Sequence, residues 1–285
     1  MQDWDIVSGI GITALAVAAA RAVESSRDEP LVSDPYAVAF VEAADSPIPL
    51  PRRAGDLPRD DDLWERMSLF VGLRSRFFDE YLLEAMTAGV RQVVVLAAGL
   101  DARAFRLDLP PETTLYEVDQ PRVLEFKDSV LDAQPRCERR TVAVDLRNDW
   151  AGALGDAGFD PEQPTAWLVE GLLPYLSRDA SAQLLDTLHT LSAPGSTVAI
   201  EYVHDPKAAL EDPAVRNLLR EFGFDYAALL PEDPHGDPGE QLSAAGWTVS
   251  AVSGADLAER YGRTPLDDGA SMFGANDRYL TGRFG

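Results

Sequence analysis

The sequence of 285 residues has one cysteine, Cys137, and only three histidines. A single cysteine cannot form an internal disulfide bond, and no second cysteine or histidine cluster stands at the spacing of metal ligands. We therefore expect neither a disulfide nor a bound metal. A reducing compartment is the default for such a chain, so we predict a cytoplasmic protein.

Positive charge is also scarce, because 25 Lys and Arg residues stand against 48 Asp and Glu residues and leave a net charge of −23. This field repels phosphate backbones and anionic lipids, so we expect no nucleic-acid and no membrane partner. Only Lys127 and Lys207 are lysines. The remaining cations are guanidinium groups, which suit fixed, bidentate contacts with anions.

Long apolar runs are missing as well. The longest, residues 9–20, has 12 residues, whereas a membrane-spanning helix needs about 20. The acidic segment before it, MQDWD, differs from the basic start of a signal peptide. With 46% hydrophobic and 26% charged residues, the composition is that of an ordinary globular protein.

Two regions differ in pattern. Residues 1–88 have helical periodicity and no strand signal, which predicts an N-terminal helical cap. Residues 89–285 alternate short apolar runs with helical segments, as in a parallel sheet covered on both faces. We predict an α/β fold with a Rossmann-like, seven-stranded, mostly parallel sheet. Residues 230–240 are expected to be a surface loop within a lid-like insertion around residues 206–240.

Several of the predicted strands end in small or acidic residues. Ala97, Ala98 and Gly99 follow the first strand, where small residues let the backbone approach a ligand. Asp119 ends the second strand 20 residues after Gly99, the position from which an acidic residue typically binds ribose hydroxyls. The alternative is that Asp119 caps the helix that begins at Pro121.

The next two strands end in Asp145 and Glu170. Carboxyl ends of parallel strands meet at one edge of a sheet, so the three carboxylates together predict a nucleoside pocket. Glu117 is a reserve candidate on the same face as Asp119.

A cation stands on the apolar side of the long helix predicted over residues 62–88. Arg74 lies in a stripe at 3.6-residue spacing, whereas Arg76 points to the opposite side. A charge on an apolar face needs an anion, either a structural ion-pair partner or the carboxylate of a ligand. The stripe consists of Leu63, Met67, Phe70, Phe77, Phe78 and Tyr81.

The segments WDIVSGIGITALAVAAARA, LRSRFFDEYLLEA, QVVVLAAGLDARAFRL, LYEVDQPRVLEFK, VAVDLRNDW and TAWLVEGLLPYLS together resemble the leucine carboxyl methyltransferase-like family. These are class I S-adenosylmethionine-dependent methyltransferases, and the resemblance is to their bacterial O-methyltransferase branch. It covers nearly the whole chain. One departure is that Leu-Ala-Ala-Gly at residues 96–99 replaces the usual Leu-Gly-Ala-Gly.

The resemblance implies S-adenosylmethionine as the cofactor and assigns roles within its site. Arg74 would bind the methionine carboxylate, the turn of residues 97–99 would approach the cofactor, and Asp119 would hold the ribose. The other implied contacts are Asp145 and Leu146 at the adenine and Glu170 at the methionine amino group. Gln120 and Gly171 join them as neighbouring cofactor-binding candidates.

The chemistry expected is in-line transfer of a methyl group to a carboxylate or hydroxyl of a small molecule. A carboxylate needs no general base, whereas a hydroxyl would need one, and the candidates are Glu201, His204 and Tyr175. A nicotinamide-dependent oxidoreductase and a non-catalytic cofactor-binding protein are the alternatives, and the oligomeric state stays open. In the cap, Tyr36 and Trp4 are expected to close over the acceptor.

The net negative charge of the chain would repel an anionic acceptor at long range. One or two arginines of the cap are expected to reverse the local field, and the candidates are Arg21, Arg52 and Arg53.

Overall fold

The computed structural model describes residues 10–46, 48–57, 62–204, 225–265 and 277–285, with six single positions between 207 and 220. Seven strands form one sheet: β1 Gln92–Leu96, β2 Thr114–Asp119, β3 Glu138–Ala143, β4 Thr165–Val169, β5 Thr197–Val203, β6 Trp247–Ser253 and β7 Asp277–Phe284. Their order is β3-β2-β1-β4-β5-β7-β6. Only β7 among these strands runs antiparallel to its neighbours, β5 and β6. The predicted seven-stranded, mostly parallel sheet is confirmed.

The central strand β1 is buried along its whole length. Successive side chains of a strand point to opposite faces of the sheet. Val93 and Val95 therefore pack into one apolar cluster, and Val94 and Leu96 pack into another. A core on each face explains why this strand is continuously apolar instead of alternating.

Helices supply the rest of both cores. Those in the described residues are α1 Ile10–Ser25, α2 Ala37–Ala43, α3 Asp62–Thr87, α4 Arg103–Arg106, α5 Pro121–Val130, α6 Trp150–Asp156, α7 Arg178–Thr190, α8 Pro238–Ala244 and α9 Gly254–Arg260. The cluster containing Val93 includes side chains of α1, α2, α3, α4 and α9. The opposite cluster includes side chains of α6, α7 and α8. None of these helices is long and apolar enough to cross a lipid bilayer.

Helix α3 presents its predicted stripe to the core. Of the six stripe residues, five are buried and Leu63 is half-buried. Arg76, on the other side, is not a plain surface residue. Its guanidinium lies 4.3 Å from the ring centroid of Tyr261 and forms a 2.9 Å ion pair with Glu80. Arg76 therefore helps to join α3 to the segment after α9.

Helix α1 packs closely on α3 at Gly72. A Cβ atom at this glycine would lie 2.8 Å from Cγ of Glu24 in α1. The Glu24 carboxylate is buried and accepts a hydrogen bond from the Leu31 N–H at 2.8 Å. Because Glu24 is fixed by this bond, the missing side chain at Gly72 lets the two helices approach. The boundary of the cap at residue 88 stays a prediction.

The prediction of a surface loop over residues 230–240 is wrong at its end, because α8 begins at Pro238. Asp237 caps this helix by accepting hydrogen bonds from the Gly239 and Glu240 N–H groups at 2.7 and 3.4 Å. Asp followed by Pro is an N-terminal helix signal, which the acidic and proline-rich composition obscured. Within the predicted insertion at 206–240, residue 206 and most of residues 208–224 lie outside the described residues. The described part after them includes a 3-10 helix over Tyr226–Leu229.

Candidate functional site

A cavity of about 410 Å³ opens at the carboxyl ends of β1, β2 and β4, with α1 as part of its wall. The strand order reverses between β1 and β4, and open α/β sheets bind ligands at such a switch point. All the predicted cofactor-binding residues border this cavity: Arg74, Ala97, Ala98, Gly99, Asp119, Gln120, Asp145, Leu146, Glu170 and Gly171. The fold therefore brings them together, and their individual roles stay predictions.

The turn after β1 forms one wall of the cavity in an uncommon conformation. Ala97 has φ 52° and Gly99 has φ 48°, so both lie in the left-handed region. Ala97 is the only described non-glycine residue with a positive φ. This conformation costs a residue with a Cβ roughly 1–2 kcal/mol. The Ala98 N–H donates to the Val118 carbonyl at 3.1 Å and so ties the strained turn to β2.

Asp119 fixes the same turn from the end of β2. Its Oδ2 accepts a hydrogen bond from the Gly99 N–H at 2.6 Å, and its Oδ1 accepts one from the Gln120 N–H at 2.6 Å. Gln120 is the N-cap residue of α5, so Asp119 is not a simple helix cap. Burial raises the pKa of Asp119 against the effect of both N–H groups. A carboxylate has about four acceptor positions, which leaves two for a ligand.

The reserve candidate, Glu117, does not reach the cavity. Its side chain is fully buried and forms ion pairs with Lys127 at 2.9 Å and Arg139 at 2.7 Å. Glu117 therefore has a structural role, as the buried anion that pairs with these two cations beside β2.

Arg74 reaches the charged end of the cavity from α3. Its Nε lies 2.9 Å from Glu170 Oε1, and its Nη1 lies 3.1 Å from Glu201 Oε2. Burial alone would lower the pKa of Arg74, but Glu201 and Glu170 outweigh this effect and raise the pKa. Nη2 donates to none of the described residues. Arg74 is thus held by a structural ion pair and still has N–H donors for a ligand.

Asp145 and Leu146 border the cavity just beyond β3. The Asp145 carboxylate is held by Arg147, whose Nε and Nη2 lie 2.9 and 2.5 Å from its two oxygens. This pairing lowers the pKa of Asp145. The Asp145 side chain is 21% exposed, so the carboxylate stays accessible at the mouth of the site.

The three catalytic candidates occupy different places. Tyr175 borders the cavity, in a 3-10 helix over Leu173–Tyr175. Glu201 lies outside the lining and is 2% exposed; its carboxylate accepts hydrogen bonds from Arg74 and from the Gly171 N–H at 2.8 Å. His204 also lies outside, edge-on to Tyr202. This geometry favours a supporting role for Glu201 over proton transfer.

Several cap residues that were predicted to act at the acceptor do not line the cavity. Tyr36 packs edge-on against Phe105 with ring centroids 5.8 Å apart and is not part of the cavity lining. Trp4 lies outside the described residues. Arg52 and Arg53 form exposed ion pairs on the surface, away from the cavity lining.

Of the three cap arginines predicted to reverse the local field, Arg21 borders the cavity. Its Nε donates to Asp34 Oδ2 at 2.7 Å and its Nη2 to the Leu100 carbonyl at 2.7 Å. Sequence reasoning missed Asp34, and it also missed Asp101 and Arg103, which border the cavity after the glycine turn. Charged residues in the segment GLDARAF, so close to the turn, were the available signal.

Asp101 is strongly acidic in this setting. Burial would raise its pKa, but the nearby charges of Arg103, Lys127 and Arg106 lower the pKa to about 2.

Within the residues that the structure describes, no group of three or more His, Cys, Asp or Glu side chains is arranged to hold a metal ion.

A family model described as leucine carboxyl methyltransferase matches residues 14–189. The chain belongs to the leucine carboxyl methyltransferase family. A family relative from Saccharopolyspora erythraea, named "Putative S-adenosyl-L-methionine-dependent methyltransferase", is 50% identical over 283 residues, which cover 98% of this chain and 97% of the relative. A similarly named protein from Rhodococcus jostii is 46% identical over 294 residues, with 98% and 97% covered.

Solved structures agree with this fold. A DUF574 family protein from Streptomyces avermitilis has a TM-score of 0.57 at 16% identity, over 95% of this chain and 97% of that one. A Thermobifida fusca protein with methyltransferase in its name has a TM-score of 0.54 at 18% identity, over 94% of each chain. At these identities the likeness concerns the fold alone.

This leucine carboxyl methyltransferase family member is an S-adenosylmethionine-dependent methyltransferase. The cavity suits that cofactor. Asp119 has unused acceptor positions for ribose hydroxyls, and Arg74 with Glu170 offers a cation and an anion for a zwitterionic end. The volume also lies within the roughly 300–1,000 Å³ of small-molecule sites. The oxidoreductase alternative is not favoured.

Proposed function

We propose that this methyltransferase transfers the methyl group to an oxygen of a small molecule, and that the acceptor oxygen belongs to a carboxylate. The observation that carries this proposal is the lining of the cavity, which within the described residues includes no histidine, lysine or cysteine. A carboxylate is already ionised at neutral pH and needs no general base. A hydroxyl acceptor would need one.

The carboxylates that border the cavity are poor candidates for that base, because each already accepts hydrogen bonds or forms an ion pair. Asp34 pairs with Arg21, Asp145 with Arg147, and Glu170 with Arg74. Among the described residues, Tyr175 is the one catalytic candidate at the cavity, which makes a hydroxyl acceptor the second possibility.

We assign the two ends of the cavity to the two ends of the cofactor. Asp119 would accept hydrogen bonds from the ribose, and Asp145 with Leu146 would border the adenine. At the charged end, Arg74 Nη2 would donate to the methionine carboxylate while Glu170 accepts from the amino group. When bound, S-adenosylmethionine supplies a sulfonium-activated methyl group. The protein contributes orientation and exclusion of water.

Arg21 supports an anionic acceptor. The net charge of −23 repels anions at long range, so a carboxylate substrate needs a local cation. Arg21 is 7% exposed, and Nη1 of its guanidinium donates to none of the described residues. It is the one cap arginine of the three predicted that stands at the cavity.

The test is a product assay with a radiolabelled methyl group on a panel of carboxylic acids and phenols, followed by mild alkali. A methyl ester releases its label as methanol, whereas a phenol ether survives. Label released by alkali supports the carboxylate proposal. An alkali-stable product, formed at a rate that collapses in Tyr175→Phe, would replace it with a hydroxyl acceptor and a tyrosine in proton transfer.

A further inference from the structure

A second arginine supports the charged end of the cavity. The side chain of Arg103 is 4% exposed, and its Nε lies 2.7 Å from Asp79 Oδ1 on α3. Its Nη1 lies 2.8 Å from Glu170 Oε2 and also contacts Asp101. A buried guanidinium is costly unless its partners compensate the lost hydration. Carboxylates from three separate segments provide that compensation here.

Glu170 is consequently held between two guanidinium groups. Arg74 contacts Oε1 at 2.9 Å and Arg103 contacts Oε2 at 2.8 Å. One contact would leave the carboxylate free to rotate about its last bond, whereas a contact on each oxygen fixes its plane. About four acceptor positions exist on a carboxylate. The hydrogen bond from Arg103 Nη1 takes one and the Arg74 contact is an ion pair, so at least two stay available. The Glu170 side chain is 14% exposed and borders the cavity.

The two arginines differ in how many of their guanidinium nitrogens already have an acceptor in the protein. The Arg103 Nε donates to Asp79, its Nη1 to Asp101 and Glu170, and its Nη2 to the Ser75 carbonyl at 3.5 Å. Each nitrogen of Arg103 therefore already has a partner in the protein. Nη2 of Arg74 has no such acceptor among the described residues.

We infer that Arg103 is a positioning residue for the amino-acid end of the cofactor. It holds Glu170 in the orientation in which its remaining acceptor positions meet the cofactor amino group, and it acts through Glu170 without contacting the cofactor. This inference rests on the proposed assignment of Glu170 to that amino group.

The experiment compares two ligands by calorimetry. S-adenosylhomocysteine has the amino-acid end, and 5′-methylthioadenosine has the adenosine and the sulfur but lacks that end. The readout is the ratio of their dissociation constants. A variant that is partly unfolded weakens both ligands by the same factor, so the ratio is insensitive to a purely structural defect.

Arg103→Lys keeps the charge but donates from a single nitrogen, whereas Arg103 contacts Asp79 through Nε and Asp101 and Glu170 through Nη1. Its matched control is Arg106→Lys, because Arg106 also pairs with Asp79, at 2.7 Å, but forms no ion pair with Glu170. We expect Arg103→Lys to lose roughly tenfold or more in affinity for S-adenosylhomocysteine, the effect of one charge-assisted hydrogen bond. Affinity for 5′-methylthioadenosine should change little, and Arg106→Lys should leave the ratio near that of the wild type.

An equal change of the ratio in Arg103→Lys and Arg106→Lys, or no change in Arg103→Lys, would overturn the inference. Glu170→Gln separates it from the assignment on which it rests. If Glu170→Gln alters the ratio and Arg103→Lys does not, the assignment stands and the role of Arg103 fails. If neither alters the ratio, the assignment itself fails.

Discussion

The strain at Ala97 can be measured against its neighbour. Ala97 has φ 52°, whereas Ala98, the next residue, is outside the positive-φ region. Both are alanines in the same turn, and both border the cavity. Ala97 is half-buried and Ala98 is 5% exposed. Replacing each by glycine removes one methyl group, so the two variants differ in the burial of that methyl and in the left-handed conformation, which only Ala97 has.

The expected changes in the free energy of unfolding differ because relief of left-handed strain contributes only at Ala97. Glycine costs either position about 0.5–1 kcal/mol in backbone entropy. Losing the buried methyl of Ala98 costs about 0.8 kcal/mol more, and losing the half-buried methyl of Ala97 costs less. Only at Ala97 does glycine also recover the roughly 1–2 kcal/mol of left-handed strain. We therefore expect Ala98→Gly to lose about 1.5 kcal/mol and Ala97→Gly to change stability by about 1 kcal/mol or less in either direction.

Urea unfolding of the three proteins, followed by circular dichroism, provides the free energies of unfolding. The dependence of the free energy on urea should be unchanged, because neither substitution alters the surface exposed on unfolding. Equal losses in the two variants, or a larger loss in Ala97→Gly, would show that the Ala97 methyl is stabilising in its turn and that the left-handed cost is negligible there.

Two other perturbations test the charged groups. Arg74→Gln leaves Glu201 buried without its cation and leaves Glu170 with Arg103 alone, and should cost about 3–5 kcal/mol. Arg76→Gln loses a half-exposed ion pair with Glu80 and a cation–π contact with Tyr261, and should cost about 1–2 kcal/mol or less. Equal losses in urea unfolding would contradict the buried pairing. Asp101 has a pKa lowered from 3.8 to about 2, so it contributes about 2 kcal/mol above pH 4 that disappears as the pH falls towards 2. The stability difference between wild type and Asp101→Asn should therefore shrink over that range, and a constant difference would be inconsistent with the shift.

Much of the candidate site was predictable because parallel strands bring their carboxyl ends to one edge of the sheet. Asp119, Asp145 and Glu170 each follow an apolar run, and that local pattern suffices to place them together. The turn after β1 was predictable for the same reason. Its left-handed alanine was not, because the sequence shows a departure from glycine but not the backbone angle.

Local sequence patterns could not identify the ion-pair partners of the charged residues. Arg74 and Glu201 are separated by 127 positions, and their contact depends on how α3 crosses the sheet and on the register of β5. Periodicity indicated that Arg74 needed an anion but could not select among 48 carboxylates. Glu201 consequently looked like a candidate base, although in the fold it orients Arg74 and the Gly171 N–H.

The scarcity of lysine has a physical counterpart at this site. Arg74 joins α3 to β5 and to the end of β4, and Arg103 joins α3 to the turn after β1 and to the same end of β4. An ammonium group donates all its hydrogen bonds from one nitrogen on a flexible stem, whereas a guanidinium donates from three nitrogens held in a fixed plane. Arginine at these two positions therefore ties the helix to three strand ends, and the geometry of the charged pocket depends on guanidinium shape as much as on its charge.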